Sequence, residues 1–538
     1  MKRAHILAAT FAIAGLAAIA LAAEAPAPKE GDQKPQDLYS GKFFKSEEQV
    51  TQGSVDGIDY AATTGTLVVH PDNWNDSAQN GGSKNPEAKA DESSPEASIF
   101  FVYYAKKGAD PSKRPVTFLF NGGPGSATVW LHMGAWGPRR VVTPDDTHSP
   151  AAPYQVIDND DTLLDASDLV FIDAPGTGFS RIAGKDKEKA FYGVDPDAQA
   201  FANFIQEFLS KYNRWNSPKY IFGESYGTPR AAVLVNDLET EKDIDFNGVI
   251  MLSQILNFDL SVDRPEYNPG VNLPYELALP TYAATAWYHH KLPGKRPQDL
   301  TAFVRQVERF AMGEYAQALQ AGANLPKARR LAIANKLHAY TGLPVWYILK
   351  ARLRIDGGEF EKTLQDDIGL TTGRLDTRFS GVTLDPLSEK SEYDPQSAAI
   401  SSAYVSAFNA YVRATLKFGD GKFYIPSARL FRSWDFRHKA PGQMFAGRGP
   451  ANVMPDLANA MKQNPNLRVM LNGGYFDLAT PYYEGWYEMH QLPIPDSLQK
   501  NIQYHYYASG HMVYAHQQSL KEMHDAVAEF IRSTSNVK

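Results

Sequence analysis

Cysteine is absent from all 538 residues, and that absence removes several chemistries at once. There can be no thiol nucleophile, no thiolate-bound metal and no iron–sulfur cluster, and no residue to carry a lipoprotein anchor. A core of this size has no need of disulfide staples, because large domains bury most of their surface. Clustered positive charge is lacking too: no Lys/Arg block stands out in a chain of net charge −7, so no nucleic-acid partner is expected. The 13 histidines include no His-Glu-x-x-His pattern, so neither a metal nor any other cofactor is expected. Beyond the first residues there is no apolar run long enough for a bilayer, so no membrane partner is expected in the mature chain.

What is present begins with an address. Met1-Lys2-Arg3 is cationic, Ile6 to Leu21 is apolar and Ala-rich, and Ala20, Ala22 and Ala23 suit a signal peptidase. Residues 1–23 are therefore predicted to be a signal peptide and 24–42 a polar, disordered leader. The protein is expected to be exported, to the periplasm or outside the cell. Loss of Lys2 and Arg3 takes the net charge from −7 to −9.

Short apolar runs ending in Gly-rich or charged turns then predict buried, mostly parallel strands: Ile99–Tyr104, Val116–Phe120, Leu169–Ile172, Tyr220–Phe222, Gly248–Leu252, Val469–Leu471 and Ile502–Tyr507. Between them, Ala198 to Tyr212 carries Phe201, Phe204, Ile205 and Phe208 at helical spacing. Leu520, Met523, Val527, Phe530 and Ile531 predict a closing amphipathic helix. Strands alternating with helices imply an α/β fold with a mainly parallel central sheet. The strand signal lapses over 260–395, where Asp299–Met312, Leu325–Tyr340 and Pro344–Arg354 read as helices. This stretch is predicted to be a helical cap inserted into a core formed by 43–259 and 396–538. Asn80 to Glu96, polar and rich in Gly, Ser and Pro, reads as an exposed loop between early strands.

The chemistry centres on Gly223-Glu224-Ser225-Tyr226-Gly227. A nucleophilic serine needs a strained strand-to-helix turn that lifts its hydroxyl above the sheet, and flanking glycines leave room for that turn. Tyr220–Phe222 supplies the strand, and Pro229 stands in the first turn of the following helix. Asn121-Gly122-Gly123-Pro124-Gly125 follows the strand Val116–Phe120, where Gly-rich backbone can turn an N–H toward a reacting carbonyl. An acid and a histidine should follow in that order. Asp477 follows the run at 469–471 and His511 follows the run at 502–507. Their separation of 34 positions suits one crossover helix. His505 and His516 are rivals for the base, and Asp173 and Glu484 are less well placed acids.

Five motifs now stand in order: Asn121–Gly125, Asp173-Ala-Pro-Gly-Thr-Gly-Phe-Ser180, Gly223–Gly227, Asn472–Asp477 and Gly510-His-Met-Val513. Together they resemble the serine carboxypeptidase family, peptidase S10, which includes cathepsin A and plant acyltransferases. The chain looks like a bacterial, exported member. The resemblance implies an α/β-hydrolase fold with a helical cap insertion. It also implies Ser225 as nucleophile, His511 as base and acid, Asp477 as its orienting partner, and the N–H groups of Gly123 and Tyr226 as oxyanion hole. Asn121, Gly122 and Glu224 would bind the C-terminal carboxylate of a peptide substrate. Here the chain departs from the family pattern: a second Glu usual just before Gly137-Pro138 is Ala135, and Arg139 or Arg140 is a candidate to compensate by a bidentate contact. Thr228 and Tyr514 replace a usual Gly and a usual Pro. The activity implied is that of a carboxypeptidase; an esterase or acyltransferase, or a non-catalytic binding protein on a hydrolase fold, are the alternatives.

Overall fold

The computed structural model describes residues 44–71 and 94–537. The predicted signal peptide and leader lie outside the described residues, as does most of the loop predicted over 80–96. Of that loop, Glu96 is buried and opens a strand.

Nine strands make the main sheet: β1 (Glu47–Val55), β2 (Ile58–Val69), β3 (Glu96–Lys106), β4 (Val116–Phe120), β5 (Asp168–Ile172), β6 (Lys219–Glu224), β7 (Gly248–Leu252), β8 (Arg468–Gly474) and β9 (Ile502–Tyr507). A short tenth strand, Arg181–Ala183, pairs with β3. The spatial order is β1-β2-β3-β5-β4-β6-β7-β8-β9. From β5 to β9 all neighbours are parallel, whereas β1, β2 and β3 pair antiparallel, as does β3 with β5. The run Ile99–Tyr104, read among the parallel strands, is thus an antiparallel one. Its apolar pattern reports burial on both faces, which is independent of strand direction.

The β1–β2 hairpin closes through Asp56-Gly57, both at positive φ (46° and 72°). Asp-Gly is the pairing that a two-residue turn of this hand favours, because it matches the twist of the strands. In the parallel strands side chains alternate between two apolar layers: Val116, Phe118 and Phe120 of β4 enter one, and Leu119 the other. Helices cover both faces. On one side lie α1 (Val194–Lys211) and α2 (Gly227–Glu241). The predicted face Phe201, Phe204, Ile205 and Phe208 is fully buried there, each side chain stabilising by about 1.5–3 kcal/mol.

Residues 260–395 contain α3 (Leu273–Tyr288), α4 (Leu300–Phe310) and α5 (Lys327–Thr341), which share an apolar cluster of their own. Leu478, next to Asp477, joins that cluster. A two-strand hairpin, Leu370–Thr372 with Ser380–Val382, also occurs here; three residues per strand leave no periodic signal in the sequence. Then α6 (Pro395–Ala414) and the closing α7 (Gln517–Thr534) cover the second face of the sheet. Among the described residues no helix is long and apolar enough to cross a membrane. A mainly parallel sheet covered on both faces, with a helical insertion, is the α/β-hydrolase fold.

Candidate active site

Register places the chemistry. In a parallel sheet the loops beyond the strands' carboxyl ends gather at one edge, and ligands bind there. Phe120 pairs with Gly223, so the loop 121–125 leaves β4 beside the turn that leaves β6. Glu224 pairs with Leu252, Leu252 with Asn472, and Asn472 with His505. The segments carrying Ser225, Asp477 and His511 therefore emerge together.

Ser225 sits between β6 and α2 at φ +60°, a region a non-glycine residue enters only under strain. Its N–H donates to Leu252 O (2.9 Å), and its carbonyl accepts from the N–H and hydroxyl of Thr228 (2.8 Å each). Thr228, the departure at a usual Gly, thereby braces the turn. A Cβ on Gly223 would stand 2.2 Å from Gly227 O, so only glycine fits there. A Cβ on Gly122 would stand 2.3 Å from the Tyr226 nitrogen, so the two backbones approach because Gly122 has none. Among the described residues no protein acceptor meets the N–H of Gly123 or of Tyr226.

The Asp477 carboxylate is fully buried. One oxygen accepts from the N–H groups of Ala479 (2.9 Å) and Thr480 (3.0 Å); the other accepts from the Thr480 hydroxyl (2.8 Å) and meets His511 Nδ1 at 2.8 Å. Burial pushes the His511 pKa down, but the charge and hydrogen bond of Asp477 outweigh it and hold the pKa above the ordinary value. Backbone bonds fix the loop: His511 N–H donates to Leu375 O (2.6 Å), and Ser253 Oγ to His511 O (2.7 Å). The Asp376 carboxylate, ion-paired with Arg378 (2.6 Å), accepts the N–H of Gly510 (3.2 Å). Leu375 and Asp376 were not legible as part of the site; they belong to the inserted segment and carry no motif. Ser225 and His511 line one cavity, with no direct hydrogen bond between them in this structure.

The rivals lie elsewhere. His516 precedes α7, bonded to Ser519 (2.8 Å). His505 is within β9, its pKa lowered by burial. Asp173 takes the N–H of Thr128 (2.8 Å), and burial raises its pKa to about 7. Glu484 is buried, its pKa raised by burial and by Glu488.

Two cavities meet at Ser225, sharing Gly123 and Arg374. One, of about 530 Å³, has aromatic walls from Phe258, Phe431, Trp434 and Phe436. The other, of about 610 Å³, holds Asn121, Gly122, Glu224 and His511, so all three predicted carboxylate-binding residues lie on one side of Ser225. Burial pushes the Glu224 carboxyl pKa up to about 7, against the opposing influence of His511, Tyr514 and Asn121. Tyr514 donates its hydroxyl to both Glu224 oxygens (3.2 and 2.9 Å). Arg139 and Arg140 do not serve this cavity. Arg139 pairs with Asp158 (2.6 Å) at the surface, and Arg140 lines a separate cavity with Tyr404 and Tyr514. Among the described residues no group of three or more His, Asp or Glu could hold a metal.

Residues 89–270 match the family model described as serine carboxypeptidase. The matched stretch includes the 121–125 loop and Ser225 and ends before Asp477 and His511. Among curated proteins, a pheromone-processing carboxypeptidase KEX1 from Phytophthora infestans is 26% identical over 32% of this chain and 30% of its own length. A serine carboxypeptidase-like 34 from Arabidopsis thaliana is 25% identical over 29% of this chain and 32% of its own. The chain thus spans about a third of the length of these relatives. A solved proline iminopeptidase from Mycobacterium smegmatis overlaps with a TM-score of 0.32 and 12% identity, over 90% of this chain and 98% of that one.

Proposed function

The chain belongs to the serine carboxypeptidase family, and on that footing we propose that it removes residues from the free C-terminus of peptides through an acyl-enzyme on Ser225. The observation that carries this reading is the buried 2.8 Å contact of His511 Nδ1 with Asp477, with His511 and the strained Ser225 on one cavity wall. With Nδ1 held, Nε2 is free to take the proton of Ser225 Oγ as the hydroxyl attacks the scissile carbonyl. The oxyanion would rest on the N–H groups of Gly123 and Tyr226, which have no other acceptor among the described residues. His511 then returns the proton to the leaving amine, and water resolves the ester.

The two cavities divide the substrate. The aromatic one suits the acyl side. The one with Asn121, Gly122 and Glu224 suits the leaving residue, where a protonated Glu224 can donate to a free carboxylate. The protein would act outside the cytoplasm, on the strength of its predicted signal peptide. Peptides with free and amidated C-termini test the reading. The free form should be turned over at least about 10-fold better, in line with a hydrogen bond to a charged group. Equal turnover of the two would sink it.

One observation favours an esterase or acyltransferase of the same fold: Ala135, buried and apolar, stands where the family pattern has a second carboxyl group. Rapid turnover of simple esters with none of free-acid peptides would select that reading.

A further inference from the structure

Ala135 has no polar side chain and Arg139 and Arg140 are engaged elsewhere, so any further polar contact to a substrate carboxylate has to come from another part of the cavity wall. Gln396, the second residue of α6, lines the cavity of Glu224, Ser225 and His511. Its side chain is fully buried, and neither the oxygen nor the nitrogen of its carboxamide has a hydrogen-bond partner among the described residues. Buried amides are nearly always paired, because an unpaired one forfeits its hydration with no return. The helix start does not need this side chain: Asp394 caps it, accepting the N–H (2.8 Å) and hydroxyl (2.5 Å) of Ser397 and the N–H of Arg374 (2.7 Å). Gln396 therefore has no task in holding its own helix.

Three other polar groups at or near this cavity already have protein partners. Asn121 Oδ1 accepts the N–H of Leu131 (3.1 Å), Tyr514 is engaged with Glu224, and Arg374 is committed to Asp263 through Nε and Nη2. An unpaired amide beside them, at the start of a helix whose dipole favours an anion, has the chemistry to receive a carboxylate.

We propose that Gln396 is a specificity-determining residue, its carboxamide N–H donating to the free α-carboxylate of the peptide's last residue. The assignment rests on the carboxypeptidase reading, and a paired assay separates their failures. Three substrates are compared in wild type, Gln396→Leu and Gln396→Glu: a free-acid peptide, its amidated form, and a p-nitrophenyl ester without an α-carboxylate. Gln396→Leu should lower kcat/KM on the free-acid peptide by about 10- to 100-fold and leave the ester within about 3-fold. Gln396→Glu should lose more, since it sets a like charge against the substrate. Because no protein hydrogen bond is removed, the Tm of Gln396→Leu should be no lower than that of wild type. A wild type that does not prefer the free acid defeats the carboxypeptidase reading. A wild-type preference that survives undiminished in Gln396→Leu overturns the role of Gln396 alone. An equal loss on peptide and ester overturns it as well, in favour of a structural role. Should Gln396→Leu fail to fold, Gln396→Met, closer in length, is read by the same ratios.

Discussion

The two sides of Ser225 differ in how completely the protein satisfies its own polar groups. Toward Asp477, four donors meet one buried carboxylate, and the His511 loop is fixed by bonds from both its N–H and its carbonyl. Toward Glu224, a buried carboxyl is held by Tyr514 while the Gln396 amide of the same cavity has no partner among the described residues. A group that must perform the same proton transfer at every turnover gains from being locked in place. A group that must exchange partners with each substrate has to be left incomplete.

The largest effect should come from breaking the saturated side. In Asp477→Asn, an N–H₂ faces donors that the carboxylate now accepts, and His511 loses the partner that fixes its tautomer. The expected fall in kcat is about 10⁴-fold, with KM little changed, and steady-state kinetics on any accepted substrate would check it. An intermediate effect should appear with pH. His511 acts as base only when neutral, and its pKa is raised, so activity should climb through a limb above the ordinary histidine value of about 6.5. Glu224, pushed up to about 7, is protonated below that pH and ionised above it. It would therefore stop donating to a carboxylate as pH rises. Profiles of kcat/KM should fall by about 10-fold on the alkaline side for free-acid peptides and not for esters, and Glu224→Gln should abolish that difference. The smallest effect belongs to Tyr514→Phe, which removes the donor to Glu224. It should raise the Glu224 pKa further, move the alkaline limb upward, and change KM for free-acid peptides by only about 3- to 10-fold.

Legibility followed the same division. Five of the six parallel strands were readable because burial on both faces makes each a short apolar run; the edge strand Ile502–Tyr507, only half-buried, was marked instead by its aromatic residues. Ser225, Asp477 and His511 each follow one of these strands. The direction of Ile99–Tyr104 was not readable, since side-chain pattern is the same either way. The site's remaining members came from no motif. Leu375 reaches His511 from the inserted segment through its backbone carbonyl, a bond any residue type could make, and the Asp376 carboxylate takes the N–H of neighbouring Gly510 without any motif to mark it. Gln396 is one glutamine at a helix start, and only its burial without a partner distinguishes it. Tyr514 was visible as a departure from the family pattern, but its pairing with Glu224, 290 positions away in sequence, needed the fold.

The most direct test is to locate the nucleophile. The folded protein is treated with a serine-directed fluorophosphonate and digested, and the labelled peptide is sequenced by mass spectrometry, with Ser225→Ala as control. Stoichiometric label on Ser225, absent from the control, is the expected result. Label on another residue, or none on folded wild type, would contradict the acyl-serine mechanism and turn the assignment toward a binding protein built on a hydrolase fold.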